Sequence, residues 1–414
     1  MTNSDFETKL QKYADLLVVH GLNVQEGQDV QVTAETVHRD LVARVVTAAY
    51  ERGARFVDVT LIDARMGRSR IENSREEFLE HVPDYVGEKY KGLVDNKAAS
   101  LRITGSEDPD LFSDLDPKRM NKIRIAQRMA AQYFYEQGIG RSQVQWNVAA
   151  GATPGWGKKL FPELDPEAAC AKLWDALFQV CRIDQPDPSA LWHAHNERLH
   201  ARGKMLTDLK IKELHFTGGG SDLIVELSEK AVFRGGSDEG ARGVHFEPNI
   251  PTEEVFTTPD ARKTRGHVKA TRPFIVNGKL IEGLSLTFED GFVKDFEATS
   301  GADTFREYID SDPNARRLGE VALVGIDSPV YQSGIVFQEI LLDENAACHI
   351  AVGSAYLSCL DGGETMSKEE LADIGCNEST VHTDMMISSE EVHVDATTYS
   401  GDKIRLIENG QWKV

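Results

Sequence analysis

The chain has 414 residues, 41% of them hydrophobic and 27% charged, and a formal net charge of −21. That length is too great for one compact core and predicts two domains, with the composition of an ordinary soluble globular protein. So negative a balance argues against a nucleic-acid partner, because phosphate binding needs clustered Lys and Arg.

The opening Met1-Thr2-Asn3-Ser4-Asp5-Phe6-Glu7 has neither the basic nor the apolar region of a signal peptide. No run approaches the roughly 18 apolar residues of a membrane span, so no membrane is expected and the cytoplasm is the default. From Phe6 to about Val19 the apolar residues Leu10, Tyr13, Leu16 and Leu17 recur at helical spacing. A strand over Asp29–Ala34 follows, then a helix from Arg39 to Arg52 that ends at Gly53, then a strand over Arg55–Ile62. Further strands are predicted at Ser100–Thr104 and Gln143–Ala149, with a long helix from Pro117 to Glu136 between them. Strands separated by helices imply an α/β layer with a largely parallel sheet.

Such a sheet often binds a nucleotide, but two glycine-rich stretches fail the test. Gly151 to Lys159 lacks the GxxxxGK[ST] spacing, and Gly218-Gly219-Gly220 precedes a strand-like run where a dinucleotide fingerprint would open a helix. Helices are predicted over Asp165–Cys181 and Ser189–Lys210, the second able to carry the chain into another domain. The texture then changes: short alternating runs broken by Asn277-Gly278 and Asp290-Gly291 signal hairpins. The expectation is an α/β domain over residues 1–210 and a β-rich α+β catalytic domain over 211–414.

The five cysteines, Cys170, Cys181, Cys348, Cys359 and Cys376, are odd in number and form no CxxC pair; neither a disulfide framework nor a cysteine zinc finger is supported. Cys348 beside His349 invites a Cys-His dyad, but neighbours on a strand point to opposite faces. Between Asp361 and Ser400 ten Asp or Glu face one Lys, read first as a solvated surface and second as a field that attracts a protonated peptide terminus.

The chemistry lies beyond residue 250: Thr252-Glu253-Glu254-Val255-Phe256-Thr257-Thr258-Pro259, Gly319-Glu320-Val321-Ala322-Leu323-Val324, Glu344-Asn345-Ala346-Ala347-Cys348-His349 with Tyr356 beyond it, and His382-Thr383-Asp384-Met385-Met386. Carboxylates and neutral imidazoles are the usual ligands of zinc, cobalt and manganese, and five or six suffice for two ions that share a bridging carboxylate. His382 and Asp384, two apart on a strand, project from one face. Glu344 and His349, five apart, need a turn between them. In an extended segment only one of Glu253 and Glu254 faces a given side.

These motifs, with Gly21-Leu22-Asn23-Val24-Gln25-Glu26-Gly27-Gln28 and Trp156-Gly157-Lys158-Lys159-Leu160-Phe161-Pro162, resemble the thermophilic metalloaminopeptidase family of the aminopeptidase T and S type over nearly the whole chain. The resemblance implies a cytoplasmic homodimer that removes single amino acids from peptide amino termini with two divalent ions (zinc, cobalt or manganese). It implies Glu254, Glu320, Glu344, His349, His382 and Asp384 as ligands, with Glu320 as the bridge. Glu253 is left as general base or clamp on the substrate amine, and Tyr356 as donor to the oxyanion on the scissile carbonyl. Two rival readings stand beside it. One is a related mononuclear iron ring-opening dioxygenase, which needs fewer ligands; the other is a non-catalytic metal- or peptide-binding protein, which loss of a ligand would mark.

Overall fold

A computed structural model describes residues 3–414; Met1 and Thr2, which open the segment read above for a leader, lie outside it. The first of two compact units runs through His193 and takes in Ser237–Pro251. Helix α1 (Asn3–Asp15) leads through a π-helical turn at Leu16–Gly21 to strand β1 (Asp29–Glu35), and α2 (Arg39–Glu51) leads on to β2 (Phe56–Ile62). Gly53, at φ +93°, makes the turn that ends α2.

Two helices that the periodicity does not reveal, α3 (Ala64–Asn73) and α4 (Asp84–Asp95), precede β3 (Ala99–Thr104). Both are strongly polar, with one buried residue each, Ile71 and Val94. Helix α5 (Pro117–Ala130), capped by Asp116, stops short of the predicted Glu136, and a π-helical turn at Phe134–Ile139 leads to β4 (Gln145–Ala150). The glycine-rich stretch that lacks phosphate-loop spacing runs into the seven-residue α6 (Pro154–Leu160), whose Trp156 N–H is capped by Thr153. Then come α7 (Pro166–Val180) and α8 (Pro188–Asp208).

Strands β1 to β4 pair in parallel, and their inward residues Val30, Val32, Leu101 and Ile103 are buried. The chain enters the second unit, Ala194–Gly236 with Thr252–Val414, inside α8. It forms the hairpin β5 (Ile211–Gly218) and β6 (Ser221–Glu226), turned by Gly218, Gly219 and Gly220 at positive φ. It then returns to the first unit for the short pair β7 (Asp238–Glu239) and β8 (His245–Phe246) and for β9 (Asn249–Ile250). Strand β9 adds to β4 in parallel and completes the order β2-β1-β3-β4-β9. Residues 237–251 thus belong with the first unit because their sheet partner lies there.

The rest of the second unit is β-rich and mainly antiparallel. It contains β10 (Val255–Thr257), β11 (Arg265–Lys269), the hairpin β12 (Phe274–Val276) and β13 (Lys279–Ile281), β14 (Ser285–Glu289), β15 (Phe292–Glu297), α9 (Ala302–Ile309) and β16 (Leu318–Leu323). After these come β17 (His349–Gly353), β18 (His382–Met386), β19 (His393–Thr398), β20 (Lys403–Glu408) and β21 (Gln411–Trp412). Asn277-Gly278 and Asp290-Gly291 both turn with two consecutive positive φ angles, as two-residue hairpins require.

Eight strands form one sheet in the order β15-β14-β11-β6-β5-β19-β20-β21, and four form another, β10-β16-β17-β18. On one face of the smaller sheet Val321, Ile350, Val352 and Met385 join the core with Phe274, Leu286 and Phe305; each fully buried side chain of this size contributes about 1.5–3 kcal/mol. The other face carries polar groups. Among the described residues, no helix is long and apolar enough to cross a membrane.

Candidate metal centre

The register of the four-stranded sheet sets the site. Glu320 of β16, Ala351 of β17 and Asp384 of β18 lie in one row across it. His349 stands two residues from Ala351 and His382 two residues from Asp384, so alternation brings all of these to one face. Ala351, between two carboxylates, contributes only a methyl group. Glu320 is the third residue of β16, 4% exposed, beside a register shift between Leu318 and Glu320. Gly319 permits the shift, since a Cβ there would fall 2.2 Å from the Ser354 carbonyl oxygen.

Two groups of donors result, Glu254–Glu320–His349 and Glu320–His382–Asp384, the ligand atoms of each lying within 4.8 Å of one another. Glu320 belongs to both. Its Oε1 lies 3.9 Å from His349 Nε2 and its Oε2 3.2 Å from His382 Nε2. Asp384 Oδ1 is 3.9 Å from His349 Nε2 and 3.6 Å from His382 Nε2. Glu254 Oε2 approaches His349 Nε2 to 3.0 Å, yet this buried oxygen has no hydrogen bond.

Both imidazoles are oriented from behind. His349 Nδ1 lies 3.2 Å from the Ala347 carbonyl and His382 Nδ1 2.8 Å from that of Ser354. With the Nδ1 proton donated to backbone, each ring turns its Nε2 toward the carboxylates, the usual posture of a metal-ligating histidine. This backing, the oxygen of Glu254 without a hydrogen bond and the O/N donor set all fit divalent cations.

Crowded carboxylates shape the protonation of the metal-free cluster. Burial raises the Glu320 carboxyl to about 7 despite His382 beside it. Burial and then the charge of Glu254 raise Glu344. Burial alone would lower His349, but Glu254, Asp384 and Glu320 hold it up at about 10. The same balance raises His382, while for Asp384 burial pushes upward but the His382 and His349 imidazoles, with a backbone hydrogen bond, together lower its carboxyl.

Of the six residues expected as ligands from sequence, five meet in the two groups. Glu344 lies in a single 3-10 turn, Glu344–Ala346, which supplies the bend before His349. It stays outside both groups but feels the charges of Glu254 and Asp384. Glu253 faces elsewhere: its Oε2 lies 3.4 Å from His195 Nε2 on α8. Tyr356 follows β17, its ring 5.2 Å from that of His382 and 5.5 Å from that of Phe256. The residue is 44% exposed, but desolvation and then Glu320 and Asp384 raise its phenol, so the hydroxyl keeps its proton for donation. Cys348 bonds with Val324, and burial pushes its thiol up to about 11, so no Cys-His dyad forms. His195 and Asn345, which contact the Thr252–Glu253 segment across 57 and 92 residues, carry no local sequence signal.

A β-rich unit that presents buried carboxylates and backed imidazoles on one sheet face has the donor set of a divalent-metal protein. The family profile described as thermophilic metalloprotease (M29) matches residues 6–412, and the chain belongs to that family. It is 40% identical to aminopeptidase 2 of Geobacillus stearothermophilus over 98% of both chains, and 40% identical to aminopeptidase T of Thermus aquaticus over 99% of both. The solved structure of wild-type AmpT from Thermus thermophilus superposes with a TM-score of 0.92 at 38% identity, covering 99% of this chain and all of that one. The chain is a hydrolase of the metalloaminopeptidase class.

Proposed function

We propose that the site holds two divalent ions, zinc, cobalt or manganese, and releases single amino acids from the amino termini of peptides. The observation that carries this reading is the split of Glu320, one oxygen toward each imidazole. Glu254, Glu320 and His349 would hold one ion, and Glu320, His382 and Asp384 the other. With neutral imidazoles, the four carboxylates Glu254, Glu320, Glu344 and Asp384 carry four negative charges, which two divalent ions balance.

Ions bound there would lower the pKa of a water toward about 7 and polarise the peptide carbonyl. The proton of that water needs a carboxylate. Glu253 turns to His195, so the role falls to Glu344, which feels the charge of Glu254 and has its carboxyl already raised. The Tyr356 hydroxyl, kept protonated, donates to the oxyanion as it develops. Carboxylates near the site can also hold the free, protonated amine of a peptide, which would favour exopeptidase action. The same reading, through the family resemblance, makes the protein a cytoplasmic homodimer, testable by sedimentation at working concentration.

The experiment is chelation followed by dialysis, elemental analysis and assay on aminoacyl substrates and on amino-terminally blocked peptides. Activity should vanish with the metal, return with zinc, cobalt or manganese, and never extend to blocked peptides. Full turnover in verifiably metal-free protein would overturn it.

A further inference from the structure

The peptide unit that joins Thr252 to Glu253 is gripped at both of its polar ends by buried side chains from distant parts of the second unit. His195 Nε2 lies 2.8 Å from the Thr252 carbonyl oxygen, and the Glu253 N–H donates to Asn345 Oδ1 at 2.6 Å. Arg198, three residues along α8 from His195, donates to His195 Nδ1 at 2.9 Å. A guanidinium has only donors, so Nδ1 must offer its lone pair and the ring proton sits on Nε2, directed to the Thr252 carbonyl. His195 is 4% exposed and Asn345 fully buried. Asn345 is itself anchored, its Nδ2 donating to the Leu341 carbonyl at 2.9 Å and its own carbonyl accepting from Ser328 Oγ at 2.5 Å.

Strand β10 begins only at Val255, so the sheet ladder does not reach this peptide, although the next side chain, Glu254, must hold its carboxylate 3.0 Å from His349. We propose that His195 and Asn345 are positioning residues that lock the Thr252–Glu253 peptide plane and thereby aim Glu254 into the metal site. The proposal rests on the reading of Glu254 as a metal-holding carboxylate. A peptide fixed through both its N–H and its C=O cannot swing, and the chain direction entering Glu254 is fixed with it. Asn345 adds a second link, because it follows Glu344 directly and so ties the Thr252–Glu254 segment to the turn that carries Glu344.

The test is zinc titration of the metal-free protein against a competing chelator, with circular dichroism to check the fold of each variant. His195→Gln keeps an N–H donor at nearly the Nε2 position and should bind both equivalents of zinc as the unaltered protein does. His195→Leu, which removes the donor, should weaken one equivalent by roughly 10–100-fold and leave the other unchanged. Asn345→Ala should weaken the same equivalent, and it keeps the proposal testable if His195→Leu does not fold. Wild-type affinity for both equivalents in His195→Leu and Asn345→Ala would overturn the proposal, and so would equal losses in His195→Gln and His195→Leu. Glu254→Gln separates the two levels: if it keeps both equivalents, the reading of Glu254 as a ligand fails first, whereas its loss of one equivalent beside unaffected clamp variants refutes the clamp alone.

Discussion

The two donor groups share Glu320 but not their surroundings. In the first, the His349 side chain is 1% exposed and Glu254 and Glu320 are buried around it. In the second, His382 is 26% exposed and adjoins Tyr356, itself open to solvent. One sheet face thus carries a sealed position beside an accessible one. Interaction between charges strengthens as water is removed, so the sealed position suits an ion that stays, and the open one suits an ion that must also meet substrate.

The most damaging way to probe that contrast is to remove what the groups have in common. Glu320→Gln should lose both metal equivalents, with a fall in turnover larger than the roughly 10²–10³ expected for loss of one oxyanion donor; elemental analysis on the assayed sample checks it. Next come the single histidines. His349→Ala should leave the outer equivalent and His382→Ala the inner one, and the outer equivalent should exchange faster with free metal. Equal exchange rates from the two positions would remove the distinction between sealed and open.

Tyr356→Phe addresses only the open side. It should retain both ions and lose about 10²–10³ in turnover, or about 3–4 kcal/mol of barrier, on a substrate whose chemical step is rate-limiting. If metal is lost with activity, the tyrosine acts in site assembly instead. The gentlest probe is pH. Because neighbouring carboxylates raise the His349 imidazole to about 10, an ion must displace its proton, and metal uptake should release protons. Apparent affinity should therefore fall as pH drops below about 10, by about tenfold per unit for each proton displaced. Calorimetry in buffers of different ionisation enthalpy measures the number.

What the sequence discloses follows distance along the chain. His382 and Asp384 are legible because strand period alone puts them on one face, and the two glycine hairpins because their turns demand positive φ. The parallel sheet of the first unit is legible from its alternating strands and helices, but α3 and α4 are not, since they bury too little to leave a periodic stripe. The pair Glu253–Glu254 marks a position without saying which residue turns inward. That choice depends on His195 and Asn345, whose separations of 57 and 92 residues leave no local pattern. The depth of Glu320 within β16 is hidden for a related reason: it follows from a register shift against β17, a property of the pairing and not of either strand.

The return of the chain to supply β9 has a consequence for synthesis. Strand β4 ends at Ala150 and its outer neighbour begins at Asn249, a delay of roughly 5–20 s at about 5–20 residues per second. During that interval the nascent parallel sheet has an uncovered edge, the kind of surface that recruits strands from other chains. The first unit is therefore encoded early but closed late, and a chain halted before Asn249 would carry an unfinished sheet. The sheet is capped just as Glu254, the first residue of the metal groups, is made.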